Sequence, residues 1–270
     1  MRIFLALACT FSFLLILGGC AEKDGQRVVT VTLPVEAFFV SQLTDSAVEA
    51  NVMVPVSVGH STYTPLPSQM RELSKSQLYL AMGGLDFELA WRERFCAQNA
   101  SMRWVELSDV ASSGGEDPHT WMSPQRSMAI VSQVAKELKG LYPELEAIID
   151  SSLSRLCLHL SEIDGRLISL REDIVFITYH PSLTYLAKDY GMRQIELEHE
   201  GKMPSVRNME LLMEEIDSTN ITALFVQQGY DIDKICRLAE HTALEPVMIQ
   251  PESYDYFATM ETILKALGER

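Results

Sequence analysis

The chain has 270 residues, of which 47% are hydrophobic and 22% are charged, and its formal net charge is −15. This length suits one large domain or two smaller ones. The excess of negative charge argues against a nucleic-acid-binding protein and against binding to an anionic surface, and it is compatible with attracting cations.

The first nineteen residues have the composition of an export signal. Met1 and Arg2 give a short positive start, and an apolar run follows from residue 3 to 17. That run is too short for a membrane-spanning helix, which needs about 20 apolar residues. We predict a signal peptide over residues 1–19 and a tether over residues 20–26. The mature body is then expected outside the cytoplasm, in the periplasm or at the cell surface.

The cysteines suggest a lipid anchor and leave any disulfide pairing open. The apolar run ends in Leu-Gly-Gly-Cys, which resembles the bacterial lipoprotein box and makes Cys20 the predicted lipidation site. An ordinary cleaved signal with an incidental cysteine is the alternative. Cys96, Cys157 and Cys236 remain in the body, and the sequence does not select a pair among them. No CxxC occurs, so a thiolate zinc site is not expected.

Strands and helices alternate in the first half of the body. Pro34, Pro65 and Gly83-Gly84 punctuate this alternation, which favours a parallel sheet with helices on its faces. Strands are predicted over residues 27–33, 51–58, 78–82 and 103–107, and helices over residues 35–43, 67–74 and 85–96.

The middle of the chain is helical. One helix is predicted from Pro124 to about Leu141, and Pro143 opens another. In the second, apolar residues recur every three or four positions from Ile149 to Leu170, which predicts a single helix of roughly 28 residues and some 40 Å. We interpret it as a connector between two lobes. The alternative is the seam of a coiled-coil dimer.

Alternation resumes after this helix. We therefore predict an α/β fold with two parallel-sheet lobes joined by one long rigid helix. The predicted parts are an N-terminal lobe over residues 27–142, a linking helix over 143–171 and a C-terminal lobe over 172–270. Within the last part, strands are predicted over residues 173–178, 194–198, 223–227 and 245–249, and helices over residues 181–190, 205–217, 231–241 and 254–267.

Three of the six histidines share one context, a loop next to a predicted strand or helix end. His60 and His180 each follow a predicted strand, and His119 lies in Asp-Pro-His-Thr-Trp just before a helix. Ligands of open α/β sheets bind beyond the carboxyl ends of the strands. Three imidazoles converging on one cleft would form a nitrogen site suited to zinc. A solvated or capping histidine is the alternative at each position.

The other histidines are interpreted differently. His159 lies beside the apolar stripe of the long helix and is expected to be structural. His241 is near a predicted helix end, where a cation complements the helix dipole. His199 lies in a polar loop, where it could act as a minor or transient ligand.

Five segments resemble, in order and spacing, motifs of the substrate-binding proteins of zinc and manganese ABC importers. Residues 117–124, Asp-Pro-His-Thr-Trp-Met-Ser-Pro, are the most specific of them. The resemblance covers nearly all of the mature chain. The other four segments are residues 59–65 (GHSTYTP), 81–88 (AMGGLDFE), 179–191 (YHPSLTYLAKDYG) and 200–205 (EGKMPS).

The resemblance implies a metal site between the two lobes. His60, His119 and His180 are its implied ligands, and a histidine in the third position is similar to the zinc-type pattern. Where the family commonly has Asp before Pro-Leu as a fourth ligand, this chain has Gln250-Pro251-Glu252. We expect Glu252 as the fourth ligand, with Gln250, Asp255 or water as alternatives. Zinc is the expected metal and manganese the alternative.

These features together predict a receptor and not an enzyme. We expect a monomeric lipoprotein, anchored to the membrane, that captures zinc and delivers it to an ABC permease. One alternative is a zinc-dependent hydrolase with an open coordination position and Glu200 or Glu252 as general base. The chain has no HExxH motif or nucleophile elbow that would favour it. Another alternative is a manganese receptor or an adhesin-type surface lipoprotein.

Overall fold

The computed structural model describes residues 27–56, 63–111, 117–170, 173–198, 206–227 and 242–268. Several predicted features fall on other residues and lie outside the described part of the chain. They are the signal peptide and tether with Cys20, the residues His60, His199, Glu200, Cys236 and His241, and the helix expected over residues 231–241.

The first sheet contains four parallel strands in the order β2-β1-β3-β4. The two central strands are buried along their whole length, as expected where helices cover both faces of a parallel sheet. The strands are β1 (Val28–Val31), β2 (Glu49–Val52), β3 (Leu78–Ala81) and β4 (Arg103–Glu106), and the helices are α1 (Pro34–Thr44), α2 (Pro67–Leu73), α3 (Asp86–Gln98) and α4 (Ser108–Ala111).

The second sheet repeats this topology with the strand order β6-β5-β7-β8, again all parallel. The prediction of an α/β fold with two parallel-sheet lobes is therefore confirmed. The strands are β5 (Val175–Thr178), β6 (Arg193–Glu196), β7 (Ala223–Gln227) and β8 (Pro246–Ile249). The described helices that follow β5, β6 and β8 are α7 (Thr184–Asp189), α8 (Val206–Asp217) and α9 (Tyr256–Ala266).

Two long helices lie between the sheets in the chain, α5 (Pro124–Leu141) and α6 (Glu146–Ile168). The α6 helix has 23 residues, which corresponds to about 35 Å. Its apolar stripe is buried against α1, α5 and α9, so it is not available as the seam of a coiled-coil dimer. Among the described residues, no helix has both the length and the hydrophobicity needed to cross a bilayer.

Two prolines move element boundaries away from their predicted positions. The second strand ends at Val52, not at residue 58, because Pro55 has no N–H to continue the hydrogen-bonded ladder. Pro143 opens a 3₁₀ turn over Pro143–Leu145 instead of the long helix itself, so α6 is shorter than the 28 residues expected. Of the cysteines in the described ranges, Cys96 and Cys157 are free thiols.

A buried carboxylate organises the turn after β3. Glu88, only 3% exposed, accepts hydrogen bonds from Thr32 Oγ1 at 2.6 Å and from the backbone N–H groups of Met82 and Gly83, each at 2.8 Å. Gly83 has a φ of +95°, and a Cβ at this position would lie 2.0 Å from Ser108 Oγ. Only glycine can therefore hold the turn that aims these donors at Glu88.

This carboxyl group should make the stability of the metal-free protein depend on pH. Burial raises the pKa of Glu88 from 4.5 to about 7, against the hydrogen bonds, which lower it. The folded state therefore holds this proton more tightly than the unfolded chain. The stabilisation that protonated Glu88 gives the folded state is complete below about pH 4.5 and is lost as the pH rises through 7. Over this rise in pH, we expect the titration of Glu88 to lower the free energy of unfolding by on the order of 3 kcal/mol.

Urea denaturation at pH 5 and pH 8 would measure this loss. Glu88→Gln is the control, because an amide does not titrate, and it should show a clearly smaller change between the two pH values. Equal changes in the wild type and in Glu88→Gln would contradict the assignment to this residue.

Candidate metal centre

His119 lies in a turn that a neighbouring carboxylate holds in place. Asp117 Oδ1 accepts hydrogen bonds from the backbone N–H of His119 at 2.8 Å and from its ring Nδ1 at 2.7 Å. Burial alone would raise the pKa of Asp117, but the interactions with His119 bring it below its ordinary value. An ionised carboxylate only accepts, so Nδ1 is the donor and Nε2 keeps its lone pair for a metal.

His180 lies at the carboxyl end of the second sheet, just beyond the last residue of β5. Its Nδ1 is 3.7 Å from Oε1 of Glu198, which follows the adjacent strand β6. Glu198 is 8% exposed, and burial raises the pKa of its carboxyl group. The two strands thus bring a histidine and a carboxylate to one edge of the sheet, where open α/β folds bind their ligands.

The rings of His119 and His180 meet although they come from distant parts of the chain. Their centroids are 5.2 Å apart and their planes cross at 74°. Two imidazoles on one tetrahedral zinc ion, each with a Zn–N bond of about 2.0–2.1 Å, have ring centroids about 5 Å apart. The observed spacing therefore matches two rings that share one metal.

A hydrogen bond brings the segment after β8 to His119. Trp121, 0% exposed, donates from Nε1 to the backbone oxygen of Pro251 at 2.8 Å. Glu252 is the next residue. Its pKa is raised by burial, and the charge of His119 acts in the opposite direction, which indicates that the two groups are neighbours. Glu252 thus brings a carboxyl group near His119.

The two alternative fourth ligands have other roles in the structure. Asp255 is exposed, and its Oδ1 accepts a hydrogen bond from the backbone N–H of Ala258 at 3.0 Å, which makes it the N-cap of α9. The backbone oxygen of Gln250 accepts from Thr259 Oγ1 at 3.2 Å. The side-chain contact accounts for Asp255 without a metal, whereas the Gln250 contact involves only the backbone oxygen and leaves the side-chain amide an alternative ligand.

The described residues contain only part of the predicted site. His60 lies outside them, and within the described ranges no group of three or more His, Cys, Asp or Glu side chains is arranged to hold a metal ion. His159 stacks on Phe257, with ring centroids 3.7 Å apart, in keeping with a structural role. Asp117 and Glu198 were not predicted as partners of the histidines. The position of Asp117 two residues before His119 is the signal that could have indicated the first of them.

A family model matches most of the chain. The model described as "ZnuA: Zinc-uptake complex component A periplasmic" matches residues 29–270. The chain belongs to this family. The match includes both sheets and both described histidines of the candidate site.

Individual proteins and a solved structure resemble the chain over half of its length or more. The manganese ABC transporter substrate-binding lipoprotein PsaA of Streptococcus pneumoniae is 23% identical over 255 residues, 84% of this chain and 81% of that protein. The zinc-binding protein AdcA of Streptococcus pyogenes serotype M3 is 24% identical over 166 residues, 56% and 32% of the two chains. A crystal structure of ZnuA superposes with a TM-score of 0.80 at 25% identity, covering 90% of this chain and 99% of that one.

Proposed function

We propose that this chain is the extracytoplasmic receptor of an ABC importer and that zinc is the metal it captures. The observation that carries the proposal is the meeting of the His119 and His180 rings at 5.2 Å, the spacing that one shared tetrahedral ion requires. Membership of the ZnuA family and the names of the relatives support the class of function.

The proposed ligands are His60, His119, His180 and Glu252. Three imidazole nitrogens and one carboxylate oxygen favour zinc over manganese, because manganese prefers oxygen ligands. Asp117 fixes the tautomer of His119 through a hydrogen bond. The Glu198 carboxyl group lies near His180, but its 3.7 Å distance from Nδ1 is longer than a hydrogen bond. Relatives are named for either metal, so the preference for zinc depends on these donor atoms.

Capture and delivery follow from the fold. The metal is cargo held between two lobes, and the continuous α6 helix has no loop hinge to absorb large changes in dihedral angle. We therefore expect only small lobe movements on binding. A lipid on Cys20 would hold this monomeric receptor at the membrane, where it presents the loaded site to the permease.

Titration of the purified mature chain with zinc and with manganese tests the proposal. We expect one zinc ion per chain, bound more tightly than manganese, and no hydrolysis of model esters or peptides by the loaded protein. Absence of zinc binding would contradict the proposal. Preferential manganese binding would support the manganese-receptor alternative, and zinc-dependent hydrolysis would support the enzyme.

A further inference from the structure

One arginine close to the candidate site contacts three different groups. Arg126 donates from Nε to Asp189 Oδ2 at 2.6 Å and from Nη2 to Asp189 Oδ1 at 2.8 Å. It also donates from Nη1 to the backbone oxygen of Ala111 at 2.6 Å. Its guanidinium carbon lies 4.2 Å from the centroid of the Tyr185 ring. We call these four residues the interlobe clamp.

The interlobe clamp joins the two segments that carry the described histidines. Arg126 is in the first turn of α5, which follows the His119 turn directly. Tyr185 and Asp189 both belong to α7, the helix that follows His180. Any change in the separation of α5 and α7 would therefore alter both this contact and the distance between the two rings.

The ion pair between Arg126 and Asp189 is suited to fixing the distance and orientation of α5 relative to α7. The side chains of Arg126 and Asp189 are 13% and 12% exposed, so water screens the pair only weakly. Two parallel N–H···O bonds set both distance and orientation, which one lysine ammonium cannot do. Buried ion pairs add little stability compared with well-packed apolar residues. Fixing the geometry is therefore the better explanation for this pair than stability alone.

We propose that Arg126 is a positioning residue, and that the interlobe clamp holds the His119 and His180 rings in register before the metal arrives. This inference rests on the proposed function, because it concerns the same metal site. Without the clamp, part of the binding energy would be used to order the two segments. Zinc would then bind more weakly and leave faster.

The rate at which zinc passes from the loaded protein to an excess of chelator tests this inference. Arg126→Met should release zinc about 10-fold faster than the wild type or more, the usual scale for losing a group that orients metal ligands. Arg126→Lys should be intermediate, because it keeps the charge but not the paired donors. Circular dichroism at the assay temperature verifies that each variant is fully folded.

Arg166→Met is the matched control. Arg166 forms a two-point ion pair with Glu261 that joins α6 to α9, two helices that carry neither His119 nor His180. Its loss should change thermal stability only slightly, since half-exposed ion pairs contribute little. Zinc release should stay within about 2-fold of the wild-type rate, because neither α6 nor α9 carries His119 or His180. Equal acceleration by Arg166→Met and Arg126→Met would overturn the positioning role.

The outcomes separate this inference from the proposed function. A wild type that binds zinc, together with an unchanged release rate in Arg126→Met, would overturn the clamp and leave the receptor function standing. A wild type that binds no zinc would overturn both. If Arg126→Met does not fold, Arg126→Lys replaces it, and an unchanged rate in that variant likewise overturns the clamp.

Discussion

Replacement of His119 by alanine should weaken zinc binding by on the order of 100- to 1000-fold. Structural zinc sites with four ligands bind with about 10–16 kcal/mol in total, so one ligand contributes a few kcal/mol, and each 1.4 kcal/mol is a factor of about ten. His119 is 3% exposed, and its Nδ1 is already bonded to Asp117, so its Nε2 is the nitrogen left for the metal. Competition with a chromophoric chelator would measure the affinity.

His159→Ala is the control for this prediction. His159 stacks on Phe257, so its loss should lower thermal stability but leave the zinc affinity unchanged. If His119→Ala bound zinc as tightly as the wild type, or if both variants lost affinity equally, His119 would not be a ligand.

The second large effect concerns the fourth ligand. Glu252→Ala should weaken zinc binding by about 10- to 100-fold, because the ion loses its one anionic protein ligand in a partly buried site. Asp255→Ala should leave the affinity unchanged and lower stability by about 1 kcal/mol, the usual cost of losing a helix N-cap. The same chelator competition, paired with thermal unfolding, would measure both variants. A reversed pattern would make Asp255 the ligand and contradict the assignment of Glu252.

The fold was predictable because local patterns and tertiary packing agree in this chain. Buried central strands read as short β-branched or apolar runs, and the stripe from Ile149 to Leu167 marks the buried face of α6. The boundaries were less predictable where a proline intervened. At Pro143 the N–H of Leu145 donates to the backbone oxygen of Tyr142 at 3.0 Å, which makes a 3₁₀ turn, and the spacing of apolar residues does not distinguish such a turn from the first turn of an α-helix.

In the candidate site, the two described histidines that the sequence pointed to, His119 and His180, do meet, and the roles of His60 and Glu252 stay predictions. The position of His180 after a strand was enough to predict a ligand-binding residue there, because parallel strands bring their carboxyl ends to one edge of the sheet. The neighbours of the rings depend on contacts between distant segments. Glu252 lies beside His119 because Trp121 bonds to Pro251, 130 residues away along the chain. The sequence motif pointed to Glu252 as the expected fourth ligand and left Asp255 open, because the contact that brings residue 252 to His119 leaves no local pattern.

A crystal of the zinc-loaded protein, measured with X-rays on both sides of the zinc absorption edge, would test the proposed site most directly. We expect one anomalous peak between the lobes, about 2.0–2.1 Å from a ring nitrogen of each of His60, His119 and His180. A peak bound to other residues, or a cleft without zinc between the rings of His119 and His180, would contradict the proposed receptor site.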